Sequence, residues 1–131
     1  MSGMWVALLT VAVLIGAAAA LRAGSDRPTA VPIDQVKAEV AARRAVLVDV
    51  REQREWDKGH LRDAVFVPLS QLSSWERDGI SERDRSNLEK ALPKGTVIYC
   101  HCAAGGRAVP AGEILGKLGY DARPSDRVTR P

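Results

Sequence analysis

Cysteine and aromatic residues are scarce in this chain of 131 residues, which has two cysteines and 5% Phe, Trp and Tyr. Two cysteines exclude a disulfide-stapled scaffold and a zinc site with four cysteine ligands. An excess of one charge is also lacking, since 19 Lys and Arg residues face 16 Asp and Glu residues. No basic run interleaves with aromatic residues, so the sequence gives no indication of nucleic-acid binding. The length is sufficient for one domain.

Residues 1–22 form an N-terminal hydrophobic segment. The run from Trp5 to Leu21 is hydrophobic at all but two positions. As a helix it would span roughly 25 Å, slightly less than the ~30 Å hydrocarbon core of a bilayer. We expect either a retained membrane anchor or a cleaved export signal, since Ala18 and Ala20 fit the small residues of a cleavage site. The protein would accordingly be membrane-associated, or exported to the periplasm or cell exterior.

A linker and a polar tail flank the rest of the chain. Residues 23–31 are polar and contain Gly, Ser and Pro, which is typical of a tether. We expect the folded domain at residues 32–124, a length common for a single domain. Residues 125–131 are polar and are predicted to be a tail that cannot pack as an amphipathic helix.

Apolar, β-branched runs alternate with helical patterns along this domain. The nearly continuous apolar run at 45–50 is typical of a strand covered on both faces of a parallel sheet. The alternation predicts an α/β fold with an open, mainly parallel sheet and helices on both faces. We expect strands at residues 45–50, 64–67, 96–100 and 120–123. We expect helices at residues 35–42 with Asp34 as N-cap, 53–58, 71–75, 82–92 with Ser81 as N-cap, and 107–118.

The stretch from Tyr99 to Arg107 places a cysteine, small residues and an arginine after a predicted strand. Ligands bind at the carboxyl ends of strands in open α/β sheets. Gly105 and Gly106 allow the loop to turn its N–H groups inward as an anion-binding nest ahead of the next helix. Such surroundings favour the thiolate, so Cys102 is predicted to be a nucleophile. The alternative is a buried structural cysteine.

Two blocks of the sequence match one protein family in order and spacing. Cys102, Gly105 and Arg107 fit an active-site signature with four residues between the cysteine and the arginine. The upstream block reads LVDVRE at 47–52, EW at 55–56, GHL at 59–61, Ala at 64 and VPL at 67–69. Together these blocks resemble the rhodanese-like sulfurtransferases, and the resemblance covers residues 33–123.

The resemblance implies sulfur transfer, with no cofactor and no metal. Cys102 would be the catalytic residue, taking a sulfane sulfur from a small anion such as thiosulfate or from a persulfide donor. It would pass this sulfur to a thiophilic acceptor such as cyanide or a thiol. Arg107 would either supply positive potential or tie the loop down through backbone carbonyls. The residues expected to bind substrate are Ala103, Ala104, Gly105, Gly106 and Arg107.

Other residues near the loop are expected to support it, and one of them, Cys100, has two alternative roles. The resemblance implies that Asp49 and Arg51 support the loop through an ion pair, and that His60 is a structural hydrogen-bonding residue. Cys100 is either a resolving thiol for a modified Cys102 or a buried small apolar residue. The Cys-His-Cys run cannot converge on a metal ion, because its three side chains are too close together on one strand.

Other features of the sequence bear on competing functions. Phosphatases on this scaffold have five residues between cysteine and arginine. The residue six positions before Arg107 is His101 instead of a cysteine, so the loop length argues against a phosphatase. Ala103 stands where many family members have a basic residue, which predicts weak recognition of thiosulfate. The family usually has a final helix where residues 125–131 stand, so we expect that helix to be missing. The alternative function is therefore a catalytically silent, membrane-tethered binding module.

Overall fold

The computed structural model describes residues 29–104 and 106–126. The predicted hydrophobic segment at 1–22, most of the linker, Gly105 and residues 127–131 lie outside the described residues. Within the described ranges, no helix is both long and apolar enough to cross a membrane. The membrane anchor, the export signal and the missing final helix therefore stay predictions.

A sheet of four parallel strands forms the centre of the domain. The strands are β1 at Ala45–Asp49, β2 at Ala64–Phe66, β3 at Val97–His101 and β4 at Asp121–Pro124. They lie in the order β2-β1-β3-β4, and every neighbouring pair is parallel. Because parallel strands need crossover connections, helices separate them along the chain. The predicted α/β class with an open parallel sheet is confirmed.

Five helices connect and cover the strands. They are α1 at Ile33–Ala41, α2 at Gln53–Asp57, α3 at Leu69–Asp78, α4 at Glu82–Ala91 and α5 at Ala108–Lys117. Ser81 is the N-cap of α4, and its hydroxyl accepts a hydrogen bond of 3.1 Å from the Asp84 N–H. The predicted N-cap Asp34 is wrong, since Pro32 occupies that position and Asp34 lies in the first turn. Helix α1 begins early because Ile33 packs against the core that contains Val36.

The two faces of the sheet pack against different helices. On one face, Val48 and Ile98 share a core with Leu72, Leu88 and Leu115, which lie on α3, α4 and α5, respectively. On the other face, Leu47 and Tyr99 share a smaller core with Val36 of α1. Side chains alternate between the faces of a strand, so even-numbered residues of β1 and β3 face α3–α5 and odd-numbered residues face α1. The prediction of helices on both faces is confirmed.

The sheet also includes one residue from the predicted linker and one from the predicted tail. Val31 and Ser125 form an isolated parallel bridge beside β4. The Val31 N–H donates to the Pro124 carbonyl at 2.9 Å, and the Asp126 N–H donates to the Val31 carbonyl at 2.8 Å. The Ser125 N–H and hydroxyl both donate to the Cys100 carbonyl, at 2.8 and 3.0 Å. Ser125 therefore ties the chain beyond β4 to the strand that precedes the candidate site.

Candidate active site

Cys102 directly follows β3 at the carboxyl edge of the sheet. Its side chain is 2% exposed and packs in the larger core, together with Cys100. The next residues, Ala103 and Ala104, are exposed, and so is Gly106. The loop thus lies at the surface while its thiol lies just beneath. The predicted anion-binding nest depends on Gly105, outside the described residues, and stays a prediction.

Arg107, at the other end of the loop, is held by a carboxylate on α2. Its Nη1 donates to Glu55 Oε2 at 2.6 Å and its Nη2 donates to Glu55 Oε1 at 2.7 Å. Such a two-pronged, charge-assisted contact fixes both orientation and distance. The Arg107 and Glu55 side chains are 32% and 33% exposed, so solvent only partly screens the pair. This ion pair with Glu55 differs from the two roles predicted for Arg107, which stay predictions; among the described residues, no backbone carbonyl accepts a hydrogen bond from its guanidinium group.

Glu55 is itself held in place at the start of α2. The Glu52 N–H donates to Glu55 Oε2 at 3.0 Å, and the two residues form a reciprocal capping box. Hydrogen bonds from Arg107 and from the Glu52 N–H lower the pKa of Glu55 to about 2. The Ser70 hydroxyl donates to Glu52 Oε2 at 2.7 Å and links this cap to α3. The loop arginine is therefore anchored to a carboxylate that two helices position.

Asp49 and Arg51 form a buried ion pair at the end of β1. Arg51 Nη2 lies 2.7 Å from Asp49 Oδ2, and Arg51 Nε lies 3.0 Å from both carboxylate oxygens. The Arg51 N–H also donates to Asp49 Oδ1 at 3.0 Å. Arg51 Nη2 continues to the Gly59 carbonyl at 2.9 Å, and hydrogen bonding to Asp49 raises the pKa of Arg51. The expected pairing is present, and it holds the turn after α2 against the sheet.

A cleft of about 510 Å³ lies beside the loop, on the odd-numbered face of the strand ends. Its lining includes Arg51, Lys58, His60, His101 and Ala103. His60 stacks on the Trp56 ring with 3.5 Å between centroids, and its Nδ1 donates to the Trp56 carbonyl at 3.0 Å. These contacts agree with the structural role expected for His60.

His101 separates the two cysteines and lies opposite Asp49 in the pairing of β1 with β3. It is 6% exposed, and its Nδ1 has no hydrogen-bond partner among the described residues. Burial lowers the pKa of His101, although the Asp49 charge opposes this shift. The lowered pKa favours the neutral imidazole, and Nδ1 is buried away from solvent even though the residue lines the cleft.

Comparison with known families identifies this arrangement. The family model described as the rhodanese-like domain matches residues 32–126. The chain belongs to the rhodanese-like domain family. Among curated protein sequences, no significant match to this rhodanese-like chain is found.

Solved structures of similar fold agree with the family assignment. The human single-domain sulfurtransferase TSTD1 is 25% identical, with a TM-score of 0.57 over 77% of this chain and 91% of that chain. A rhodanese-like domain protein from Staphylococcus aureus is 23% identical, with a TM-score of 0.57 over 76% and 85% of the two chains. A rhodanese homologue from Thermus thermophilus is 21% identical, with a TM-score of 0.51 over 75% and 93%. The last two show the shared fold.

Cys100, the other cysteine of this rhodanese-like domain, is deeply buried. Cys100 has no exposed surface, and burial, helped by the nearby Cys102, raises its pKa to about 12. Its thiolate is therefore scarce at neutral pH, which favours the buried apolar interpretation over the resolving thiol. Both cysteines are free thiols. Within residues 29–104 and 106–126, no three His, Cys, Asp or Glu side chains are grouped so that they could hold a metal ion.

Sequence reasoning missed three residues of the site. Glu55 was part of the matching upstream block but was given no role, although Glu52 and Glu55 have the spacing of a capping box. His101 was considered only as a metal ligand. The alternation of side chains along β3 places His101 on the face of the strand opposite that of the two cysteines. Lys58 carried no local signal, because its position depends on the turn after α2.

Proposed function

We propose that this rhodanese-like domain is a sulfurtransferase that carries a sulfane sulfur as a persulfide on Cys102. The observation that carries the proposal is the position of Cys102 at the head of a surface loop whose far end, Arg107, is fixed by Glu55. The family assignment and the similarity to a human sulfurtransferase support this class of reaction.

Loading of the cysteine is a displacement at sulfur. The Cys102 thiolate attacks the outer sulfur of thiosulfate, the sulfur–sulfur bond of thiosulfate breaks, and sulfite leaves with the bonding electron pair. The negative charge is conserved, because a thiolate and a dianion give a persulfide anion and a dianion. No external oxidant or reductant is needed. The loop N–H groups that the sequence predicts to turn inward would stabilise the persulfide anion.

The burial of Cys102 suits a sulfur carrier. The Sγ atom lies under the surface, where it is shielded from unselective oxidation. A persulfide places its terminal sulfur about 2 Å beyond Sγ, given an ordinary sulfur–sulfur bond length.

Intact-mass measurement tests the proposal. Treatment with thiosulfate or a small persulfide donor should add about 32 Da, the mass of one sulfur, and cyanide or a thiol should remove it. Cys102→Ser should abolish the adduct, whereas the matched control Cys100→Ser should retain it. Absence of an adduct with every donor would contradict the proposal and favour a catalytically silent binding module.

A further inference from the structure

The Glu52 side chain accepts hydrogen bonds from two helices. Glu52 is the N-cap of α2, and its carboxylate accepts a hydrogen bond from the Glu55 N–H in the capping box. Its Oε2 also accepts a hydrogen bond of 2.7 Å from the Ser70 hydroxyl, and its Oε1 accepts one of 3.3 Å from the Ser70 N–H. Ser70 lies in the first turn of α3, where N–H groups have no partner within the helix. One carboxylate therefore caps the start of α2 and part of the start of α3.

The start of α3 depends on this contact, because its own N-cap is a proline. Pro68 makes no side-chain capping hydrogen bond. The Leu69 N–H donates instead to the Val50 carbonyl at 3.0 Å, just after β1. The first two N–H groups of α3 are thus both satisfied by residues 50–52, the segment that leads from β1 into α2. The start of α3 is thereby fixed against the residues that begin α2.

From Glu52 the hydrogen bonds continue to the arginine of the Cys102 loop. The Glu52 N–H donates to Glu55 Oε2 at 3.0 Å, and Arg107 Nη1 donates to the same oxygen at 2.6 Å. An unbroken chain of hydrogen bonds therefore runs from Ser70 through Glu52 and Glu55 to Arg107. All of its links involve a carboxylate, and charge-assisted hydrogen bonds of this kind are stronger than those between neutral groups.

Apolar packing joins the two ends of this chain of hydrogen bonds. Leu72 of α3 and Leu115 of α5 lie in the same core, and the two helices contact each other. Arg107 is the N-cap residue of α5. The hydrogen bonds and the core thus connect α2, α3 and the start of α5 in a closed ring that includes the far end of the Cys102 loop. In such a network the contribution of one contact depends on the others.

We propose that Ser70 and Glu52 are positioning residues for sulfur loading, which act through Glu55 to hold Arg107 and the loop in the geometry for attack. The proposal rests on the proposed persulfide chemistry of Cys102. A misplacement of about 1 Å, even when it is caused far from the reacting atoms, can slow a reaction about 100-fold. A hydroxyl group on α3 can therefore affect a reaction on the loop, provided that the chain of contacts between them is intact.

Substitutions at Ser70 give a graded test in the full chain, with the loading rate of Cys102 by thiosulfate followed by intact mass. Ser70→Thr keeps the hydroxyl and should load at the wild-type rate. Ser70→Ala should slow loading about threefold, part of what a lost hydrogen bond to a charged group can cost. Ser70→Asp should slow it about tenfold, because a second carboxylate then repels Glu52. The matched control Ser86→Ala, an exposed serine on α4, should load at the wild-type rate.

A double-mutant cycle separates positioning from a general loss of stability. In a Glu55→Gln background Arg107 has already lost its charged anchor, so adding Ser70→Ala should slow loading little further. A residue that only stabilised the fold would slow loading by the same factor in both backgrounds. Independent effects of the two substitutions would therefore overturn the proposal, and so would a wild-type loading rate in Ser70→Asp while the Cys102 adduct still forms.

The Arg107 side chain gives a readout that does not depend on sulfur transfer. Its two-pronged contact with Glu55 restricts rotation of the guanidinium group, so its Nη groups should give separate NMR signals in the wild-type protein. Ser70→Asp should merge these signals, and Ser70→Thr should leave them separate. If the signals respond in this way but no adduct ever forms on Cys102, the proposed function fails and the link from Ser70 to Arg107 stands. Unchanged Arg107 signals in Ser70→Asp would overturn that link.

Discussion

The buried ion pair between Asp49 and Arg51 makes the sharpest stability prediction. Asp49→Asn keeps the side-chain volume but removes the negative charge that faces a guanidinium group with little access to water. Removing one partner of a buried pair leaves an uncompensated charge, which typically costs about 3–5 kcal/mol. The asparagine oxygen can still accept one of the Arg51 hydrogen bonds, so we expect about 3 kcal/mol, the lower end of that range.

The chain offers a matched control in an exposed pair of the same geometry. Arg44 Nε and Nη2 contact the two carboxylate oxygens of Glu39 at 2.9 and 3.0 Å, yet the Arg44 side chain is 62% exposed. Glu39→Gln should leave stability nearly unchanged, because water solvates either partner when the other is lost.

Urea denaturation compares the two substitutions directly. With the slopes usual for small domains, Asp49→Asn should lower the midpoint by about 1–3 M, whereas Glu39→Gln should shift it little. Replacing the ion pair by an apolar pair, Asp49→Leu with Arg51→Met, should recover part of the stability lost in Asp49→Asn, because no buried charge then remains. Equal midpoints for Asp49→Asn and Glu39→Gln would refute the argument that burial decides the contribution of these pairs.

Three further predictions follow from the contacts around the loop. Glu55→Gln should slow sulfur loading of Cys102 by about tenfold, measured by intact mass, because Arg107 loses its charged anchor; an unchanged rate would show that the anchor is dispensable. The pKa of Glu55 is lowered from 4.5 to about 2, so its stabilising contribution is present above pH 4.5 and is lost as the pH falls towards 2. After discounting for solvent screening, urea titrations across this window should show up to about 1 kcal/mol of pH dependence that Glu55→Gln lacks. Because burial raises the pKa of Cys100 to about 12, iodoacetamide at pH 8 should spare Cys100 in the folded protein and modify it in urea. Labelling of Cys100 itself in the folded protein would contradict its burial.

Local patterns in the sequence were sufficient to predict the elements of the fold. The apolar run at 45–50 predicts a strand from local sequence alone, and the structure has β1 there. Ser81 likewise predicts the start of a helix from local sequence, and it is the N-cap of α4. The N-cap prediction for Asp34 is wrong because Ile33, which packs against a core from a distant part of the chain, lies inside the helix. Helix α3, predicted at 71–75, continues to Asp78, since its ends depend on contacts with α5 as well as on local signals.

The site was harder to predict, because its contacts join distant positions. Glu55 and Arg107 are separated by 52 positions, and no periodicity within either segment indicates that they meet. The pair of Asp49 with Arg51 spans two positions and was accessible from the sequence through a family resemblance. The cleft forms from the turn after α2 and the end of β3, so its lining depends on the order of strands in the sheet.

The alternation of side chains at the end of β3 separates two tasks in space. The core around Cys102 lies on one side of the backbone, while His101 and the cleft lie on the other. Substitutions that reshape the cleft can therefore leave the packing beneath the thiol intact. For protein engineering, the residues that line the cleft are positions where new side chains can be introduced while the core that holds Cys102 keeps its packing.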